Sequence, residues 1–302
     1  MDWTLGLTLA EWLDHEGFRV LTRGFGSQLG RAPRWDVFGQ GPQVLAGLRG
    51  HAAHVLTSRD PSYARFQESS LQIISTHPLA NPRKPGDRIV YLAYPVPEEY
   101  FEEDTMKAVF DVTRRFRLEH RPRVVFAGDY TDGAGLSTLF QAVRTVLRGQ
   151  GELILLNGRE YRDQLAPVIK TLGLEEVAIF LPRLTDREES GIFHSADVYV
   201  DPSHDSEWFP VGALRAMASR LPIVAWETPL MTSLSNRGAL MVSPGRDDAW
   251  APAISEALGN EPLRERMMER TRTAMADHRL AIVGNTFLQL ASQWGVPIPT
   301  KV

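Results

Sequence analysis

From residue 121 onward, short apolar runs alternate regularly with stretches of helical spacing. The apolar runs are rich in Val, Ile and Leu, and they lie at 124–128, 153–156, 177–181, 198–200, 223–226 and 240–242. The helical patterns lie at 136–147, 161–172, 186–195, 211–219, 230–236, 247–258, 262–277 and 281–294. This alternation predicts βαβ units, in which helices cover both faces of a parallel sheet.

The residues before 121 are less regular and predict a smaller α/β region. We expect helices at 9–17, 43–48 and 61–68, strands at 18–22, 53–57, 71–75 and 88–92, and a short element at 35–38. The segment 103–122 is charged and poor in apolar residues, as expected of a connection between domains. The sequence therefore predicts two domains, 1–115 and 116–302.

Composition narrows the class of protein. A chain of 302 residues with 43% hydrophobic and 23% charged residues is typical of a globular protein of two domains. The net charge of -4 argues against a nucleic-acid partner. The sequence has neither a transmembrane run nor a basic, apolar secretory start, so we expect a cytoplasmic protein. The absence of cysteine excludes disulfides and thiolate catalysis.

The loop after the 198–200 run holds the densest cluster of polar side chains in the sequence. Its members are acidic, hydroxyl or imidazole groups: Asp201, Ser203, His204, Asp205, Ser206 and Glu207. Ligands of open α/β sheets bind outside the carboxyl ends of the strands, where this loop begins. The neighbouring His204 and Asp205 would suit a metal ion, but spacing supplies no third ligand, so no metal is predicted.

Four sets of motifs carry a resemblance to a known family. They are 125–128 with 135–142, 153–158, 179–184 with 193–203, and 207–209 with 213–218 and 221–224. In order and spacing, residues 121–294 resemble the C-terminal, nucleotide-sugar-binding domain of GT-B glycosyltransferases of the retaining family 4. The first 115 residues match the acceptor-binding domain only weakly.

The resemblance implies an α/β protein of the GT-B fold, with two Rossmann-like domains, parallel sheets and a reduced N-terminal domain. It implies that a UDP- or GDP-linked sugar is the co-substrate, with no separate cofactor. A carbohydrate or a lipid-linked molecule would be the acceptor. His54 lies on the acceptor side, where family members often carry a histidine near the reacting sugar.

On the donor side, the resemblance assigns roles residue by residue. Glu207 matches the first of two glutamates separated by seven residues and would contact the donor sugar. The second position is Arg215, which cannot accept a hydrogen bond from a ribose diol and could instead contact phosphate or pair with an acid. Pro210 replaces a glycine and removes one backbone donor. The remaining substrate-binding residues would be Gly128, Gly133, Gly135, Leu184, Ser203, His204, Trp208, Phe209 and Val211.

The two cations that bind the diphosphate in the family are absent, because Asp129 and Ala134 occupy their positions. Arg159 and Arg183 are candidates to replace them, although an arginine in such a position is more often a solvated surface residue. The first hypothesis is therefore a retaining glycosyltransferase. A second is a non-catalytic subunit that binds or regulates a partner glycosyltransferase, or forms a homodimer. A third is another Rossmann-like enzyme such as a sugar-nucleotide epimerase, although the first βα turn lacks Gly-x-Gly-x-x-Gly.

Overall fold

The structure is a computed structural model that describes most of the chain after residue 87 and five strands up to residue 91. The described residues are 35–40, 43–48, 54–58, 72–75, 88–103, 105–128, 130, 133–203 and 210–293. The predicted elements at 9–17, 18–22 and 61–68 lie outside them. Among the described helices, none is long and apolar enough to cross a bilayer.

The first sheet has five strands in sequential order. They are β1 (Trp35–Gln40), β2 (Gln43–Leu48), β3 (His54–Ser58), β4 (Gln72–Ser75) and β5 (Arg88–Tyr91). β2 is antiparallel to β1 and β3, whereas β4 is parallel to β3 and β5. The predicted strands at 53–57, 71–75 and 88–92 are confirmed, and a wholly parallel first sheet is wrong.

The predicted helix at 43–48 is also wrong, because this segment is the strand β2. It pairs on one side with all six residues of β1 and on the other with β3. Only two residues, Gly41 and Pro42, separate β1 from β2, which is the spacing of a hairpin. A six-residue helix would leave most of its backbone groups unpaired, whereas a central strand pairs them on both sides.

The second sheet has six strands, and every pairing between them is parallel. They are β6 (Arg123–Phe126), β7 (Glu152–Leu155), β8 (Ala178–Phe180), β9 (Val198–Asp201), β10 (Ile223–Trp226) and β11 (Leu240–Val242). Their order across the sheet is β8-β7-β6-β9-β10-β11. This is the Rossmann order, in which the direction of winding reverses between the first and fourth strands, here β6 and β9.

Nine described α-helices precede, connect or follow these strands. They are α1 (Met106–Phe116), α2 (Gly133–Leu147), α3 (Arg162–Thr171), α4 (Asp186–Ser195), α5 (Val211–Ala218), α6 (Pro229–Leu234), α7 (Trp250–Gly259), α8 (Glu261–Met275) and α9 (Leu280–Gln293). The predicted helices from 136 onward are confirmed, with ends that differ from the prediction by at most three residues. Helix α1 lies in the segment expected to be a connection.

The described residues form two compact units. One consists of 35–97 and 277–293, and the other of 98–203 and 210–276. Helix α1 belongs to the second unit because it packs on α4. The division therefore differs from the predicted domain boundary after residue 115 by the segment 98–115, and it places α9 with the first unit.

A buried ion pair stabilises the amino ends of β6 and β7. The Arg123 guanidinium donates to Glu152 Oε2 at 2.6 Å, to the Leu118 carbonyl at 2.6 Å and to the Ser195 carbonyl at 3.2 Å. Glu152 Oε1 accepts from the backbone amides of residues 119 and 120. Both side chains are almost fully buried, and their hydrogen-bonding groups are well matched.

We expect Arg123→Lys to lower the free energy of unfolding by about 1–3 kcal/mol. A lysine keeps the charge but cannot bond Glu152 and two carbonyls in the fork geometry of a guanidinium. Urea unfolding of the variant and of Arg144→Lys, at an exposed position of α2, checks this expectation. Equal stability of the two variants would contradict the role of the buried network.

In the first unit, the segment before α9 is bonded to residues 94–96. Val96 N donates to the His278 carbonyl at 2.8 Å, and Leu280 N donates to the Val96 carbonyl at 3.0 Å. The imidazole Nδ1 of His278 donates to the Tyr94 carbonyl at 2.9 Å. Burial lowers the pKa of His278, and this hydrogen bond only partly opposes the effect.

This lowered pKa predicts a loss of stability in mild acid. The folded state disfavours the protonated imidazole, so its contribution is complete above the unfolded pKa of about 6.5. It is lost as the pH falls from there toward the folded pKa. Urea unfolding at about pH 7.5 and about pH 5.5 is expected to show a smaller pH dependence for His278→Asn than for the unaltered chain. The same pH dependence in both proteins would refute this assignment.

Candidate functional site

The candidate site lies at the point where the winding of the second sheet reverses. The loop 127–132 leaves the carboxyl end of β6 and leads to α2. The loop 202–210 leaves the carboxyl end of the neighbouring strand β9 and leads to α5. In sheets of this kind, ligands bind in the crevice outside the carboxyl ends of the two strands at which the winding reverses. The sequence placed the candidate site in these same loops.

The first turn of α5 lies directly against the end of β6. Tyr199 OH donates to the Ala127 carbonyl at 2.7 Å. A Cβ on Gly212 would lie 2.4 Å from that hydroxyl and 2.5 Å from the same carbonyl oxygen. Only glycine therefore fits at this position. Burial raises the pKa of Tyr199 well above its usual value, so the hydroxyl keeps the proton that it donates.

Helix α5 begins at the crevice, and its N-cap residue supplies no side chain that bonds its first amides. Pro210 is its N-cap residue and makes no side-chain capping bond, and Val211 is the first helical residue. The amides of a helix N-terminus carry partial positive charge and suit an anionic group. Because Gly212 has no Cβ, this first turn can lie against the Ala127 carbonyl and the Tyr199 hydroxyl, which places its amides at the carboxyl end of β6.

The opposite side of the crevice contains the glycines predicted after β6. Gly128 is exposed, and a Cβ there would lie 2.7 Å from the Phe126 ring. Gly133 begins α2, and Gly135 is buried in its first turn. Asp129 lies outside the described residues. The loop thus brings a second helix N-terminus to the same edge of the sheet.

A tyrosine pair that was not predicted from the sequence lies beyond the carboxyl ends of β6 and β7. Tyr130 is buried, and its hydroxyl donates to the Leu156 carbonyl at 2.6 Å. Its ring stacks on Tyr161 with centroids 5.1 Å apart. A Cβ on Gly158 would come within 3.1 Å of the Tyr130 ring. Burial raises the pKa of Tyr130 well above its usual value. The available signal was an aromatic residue two positions after Gly128.

Arg159 and Arg183 lie on adjacent segments beyond the ends of β7 and β8. The backbone amide of Arg159 donates to the Leu181 carbonyl at 3.1 Å, which joins the two segments. Both arginine side chains are exposed, and Leu184 is half-buried. Within the described part of the chain, neither guanidinium has an ion-pair partner. The structure therefore leaves both charges available to an anion.

The start of the loop after β9 is anchored to the sheet. Trp226 Nε1 donates to the Pro202 carbonyl at 2.9 Å, and Ser203 N donates to Asp201 Oδ1 at 3.2 Å. Asp201 is buried and Ser203 is half-buried. These bonds fix the direction in which the loop leaves β9. The role of Ser203 in substrate binding stays a prediction.

Arg215 is held by two acids of α4. Its Nη1 lies 2.7 Å from Glu189 Oε1, and its Nη2 lies 3.4 Å from Asp186 Oδ1. Tyr100 OH donates to the same two carboxylates at 3.2 and 3.0 Å, and the guanidinium lies 5.2 Å from the centre of the Tyr100 ring. Burial acts to lower the pKa of Arg215, but the two carboxylates outweigh it and raise that pKa. Arg215 was expected either to contact phosphate or to pair with an acid, and the structure shows it paired with acids.

The central residues of the predicted donor loop lie outside the described residues. These are His204, Glu207, Trp208 and Phe209. His54 is the first residue of β3. The roles predicted for all five stay predictions. Within the described residues, no three His, Asp or Glu side chains are grouped so as to hold a metal ion.

A parallel sheet in Rossmann order, with glycine where α5 approaches β6, defines a Rossmann-like domain of the nucleotide-binding type. A family model described as "Glycosyl transferases group 1" matches residues 112–274, which is more than half of the chain. The chain belongs to this family, and the predicted GT-B glycosyltransferase relationship is confirmed.

Two curated proteins and a solved structure illustrate the relationship. The chain is 24% identical over 189 residues to an alpha-D-kanosaminyltransferase of Streptomyces kanamyceticus, covering 61% of this chain and 49% of that one. It is 31% identical over 103 residues to the O-antigen chain mannosyltransferase RfbU of Salmonella typhimurium, covering 34% and 29%. The structure of Anabaena HepE in complex with UDP-glucose matches with a TM-score of 0.63 at 15% identity, covering 75% and 65%. The chain thus spans at most about half the length of these curated relatives.

Proposed function

We propose that the protein transfers a sugar, with retention, from a nucleotide-sugar donor to a carbohydrate or lipid-linked acceptor. The observation that carries this proposal is the approach of the α5 N-terminus to the end of β6, which only Gly212 permits. It supports a site whose backbone amides receive the diphosphate of the donor. The resemblance adds Glu207 on the donor sugar and His54 on the acceptor side.

A uridine or guanosine diphosphate is the leaving group in this proposal, and no further cofactor takes part. HepE, whose fold is similar, was solved with UDP-glucose, which makes UDP-glucose the first donor to test. Negative charge develops on the diphosphate as the sugar leaves, and preorganised amides and cations lower the barrier by stabilising it. Arg159 and Arg183 would supply the cations that Asp129 and Ala134 do not. The cytoplasmic location stays a prediction.

Nucleotide binding tests the site directly. Calorimetry with UDP, GDP, ADP and their sugars is expected to reveal one base that binds in the micromolar range. A ligand at about 100 times its dissociation constant would raise the free energy of unfolding by about 2.7 kcal/mol. Glu207→Ala is expected to weaken binding of the nucleotide sugar more than binding of the free nucleotide. Glu265→Ala, at an exposed position of α8, is the matched control.

The proposed cations and the retention of configuration need separate measurements. Arg159→Gln and Arg183→Gln are expected to weaken binding of the nucleoside diphosphate, whereas the exposed Arg144→Gln is not. Release of the nucleotide, with NMR of the freed sugar or of the product, would report turnover and its stereochemistry. Failure of every nucleotide to bind would reject the proposal for this chain.

A second candidate is a non-catalytic subunit of a partner glycosyltransferase. The observation that favours it is the engagement of Arg215 by Glu189 and Asp186. Arg215 stands where the family pattern has a glutamate for the ribose diol, and a guanidinium already bonded to two acids offers the diol no acceptor. A second glycosyltransferase-like chain that co-purifies, and supplies the turnover that this chain lacks, would support this candidate.

A further inference from the structure

Helix α1 presents its largest apolar side chains to solvent. Met106 is 82% exposed and Phe110 is 60% exposed. They lie four residues apart, so they are neighbours on one face of the helix. An amphipathic helix of a globular unit normally buries such residues. Their exposure on the outer face therefore marks it as a candidate interaction surface.

The orientation of α1 is fixed by its opposite face. Val112 is buried, and α1 packs closely on α4. A Cβ on Gly191 of α4 would lie 2.8 Å from the Ala108 carbonyl oxygen, so the two helices approach each other at a glycine. Arg115 adds a salt bridge to Glu188. Met106 and Phe110 therefore cannot turn inward without separating α1 from α4.

Exposed cations lie on the same outer face. Lys107 and Arg114 lie within four residues of Phe110, and Arg117 follows as the C-cap residue. All three side chains are exposed, and among the described residues none has an ion-pair partner. The described acids near this face differ in exposure and pairing. Asp111 is exposed at the border of this face and Glu102 precedes the helix, whereas Glu103 is paired with Arg220.

We propose that this face, defined by Met106, Lys107, Phe110, Arg114 and Arg117, docks on the surface of an anionic lipid bilayer. Two apolar side chains flanked by lysine and arginine have the chemistry that interfacial helices use. The apolar pair enters the boundary between headgroups and acyl chains, while the cations meet lipid phosphates. The proposal concerns the outer face of α1, which contributes no residue to the candidate site, and it does not depend on the proposed reaction.

Charge and area favour a bilayer over a second copy of the chain. In a symmetric dimer through this face, the cations of one copy would face those of the other. A specific protein interface also needs about 800 Å² from each partner, far more than two side chains provide. Interfacial binding requires less area, because electrostatic attraction supplements apolar insertion and keeps the binding reversible.

Vesicle binding of the full chain tests the proposal. Co-sedimentation with vesicles of phosphatidylcholine and phosphatidylglycerol is expected, with little binding to phosphatidylcholine alone and less binding at high salt. The double variant Lys107→Gln/Arg114→Gln is expected to bind about 30-fold more weakly, since each cation near the surface contributes about one factor of five. Met106→Ser/Phe110→Ser is expected to lose roughly 10- to 100-fold.

Matched controls separate this face from surface properties in general. Arg144→Gln/Arg266→Gln removes two exposed helical cations elsewhere, and Ile282→Ser removes the exposed apolar residue of α9. Both are expected to bind vesicles like the unaltered chain, and circular dichroism checks that all variants are folded. Binding that is absent, equal on neutral vesicles, or unchanged in the α1 variants would overturn the proposal. So would an α1 variant that converts a dimer into a monomer in sedimentation, since the face would then be a self-interface.

Discussion

Gly212→Ala is expected to lower the free energy of unfolding by about 2–3 kcal/mol and to weaken nucleotide binding by about 100-fold. Helix propensity acts the other way, because alanine is favoured over glycine by about 1 kcal/mol in a helix. Steric overlap outweighs it: the new Cβ would stand 2.4 Å from the Tyr199 hydroxyl and 2.5 Å from the Ala127 carbonyl oxygen. The first turn of α5 must therefore move away from β6, and this movement changes the shape of the crevice.

Gly259→Ala is the matched control for this prediction. Gly259 ends α7, and a Cβ there would meet no atom within 4 Å. Urea unfolding and titration with UDP or GDP should leave this variant at least as stable as the unaltered chain and equally able to bind. If Gly212→Ala behaved in the same way, the close approach of α5 to β6 would not be what shapes the site.

The second unit could be predicted closely because its local signals agree with its packing. Strand β10 was predicted at its observed limits. Its four residues are all apolar and buried, and Pro222 and Glu227 mark the two ends of the run. Helix α4 was also predicted at its limits. A capping box joins Thr185 to Glu188 at its start, which explains why the helix begins where it does. The limits of buried parallel strands and of capped helices can therefore be predicted from their own residues.

The elements that were missed lack this agreement. Helix α1 exposes Met106 and Phe110, so the apolar positions that a pattern search reads as buried are on its outer face. Its inner face presents little more than Val112 to the core. Strand β2 was taken for a helix because the evidence for its pairing lies in β1 and β3, not in its own six residues. Both errors come from contacts that a local pattern does not contain.

The candidate site shows the same limit. The loops after β6 and β9 follow from strand order, and Gly128 follows from the resemblance, whereas the role of Gly212 appears only in its contacts with other residues. The network around Arg215 does not, because Tyr100 lies 86 and 89 residues before the acids that it bonds. Nothing in the sequence of α4 distinguishes the buried Glu189 from the more exposed Asp186 and Glu188.

Arg215→Ala is expected to cost about 3–5 kcal/mol of unfolding free energy. It would leave Glu189, whose side chain is 5% exposed, as a buried carboxylate without its cation. Tyr100 would remain as a donor, but one neutral hydrogen bond does not offset the desolvation of a charge. Urea unfolding measures the loss. Arg272→Ala in α8 is the control, since it removes an exposed pair with Glu269 and is expected to change little.

Two further variants separate stability from function at this position. Arg215→Leu combined with Glu189→Leu removes both charges and is expected to recover most of the stability, because an apolar pair of similar volume can replace a buried ion pair. Arg215→Glu would create the glutamate of the family pattern, but beside Glu189 and Asp186 it would gather three carboxylates. It is therefore expected to be less stable than Arg215→Ala and to bind nucleotide no better. Stronger nucleotide binding by Arg215→Glu would show instead that the ribose position is still open, and would favour the enzyme over the non-catalytic subunit.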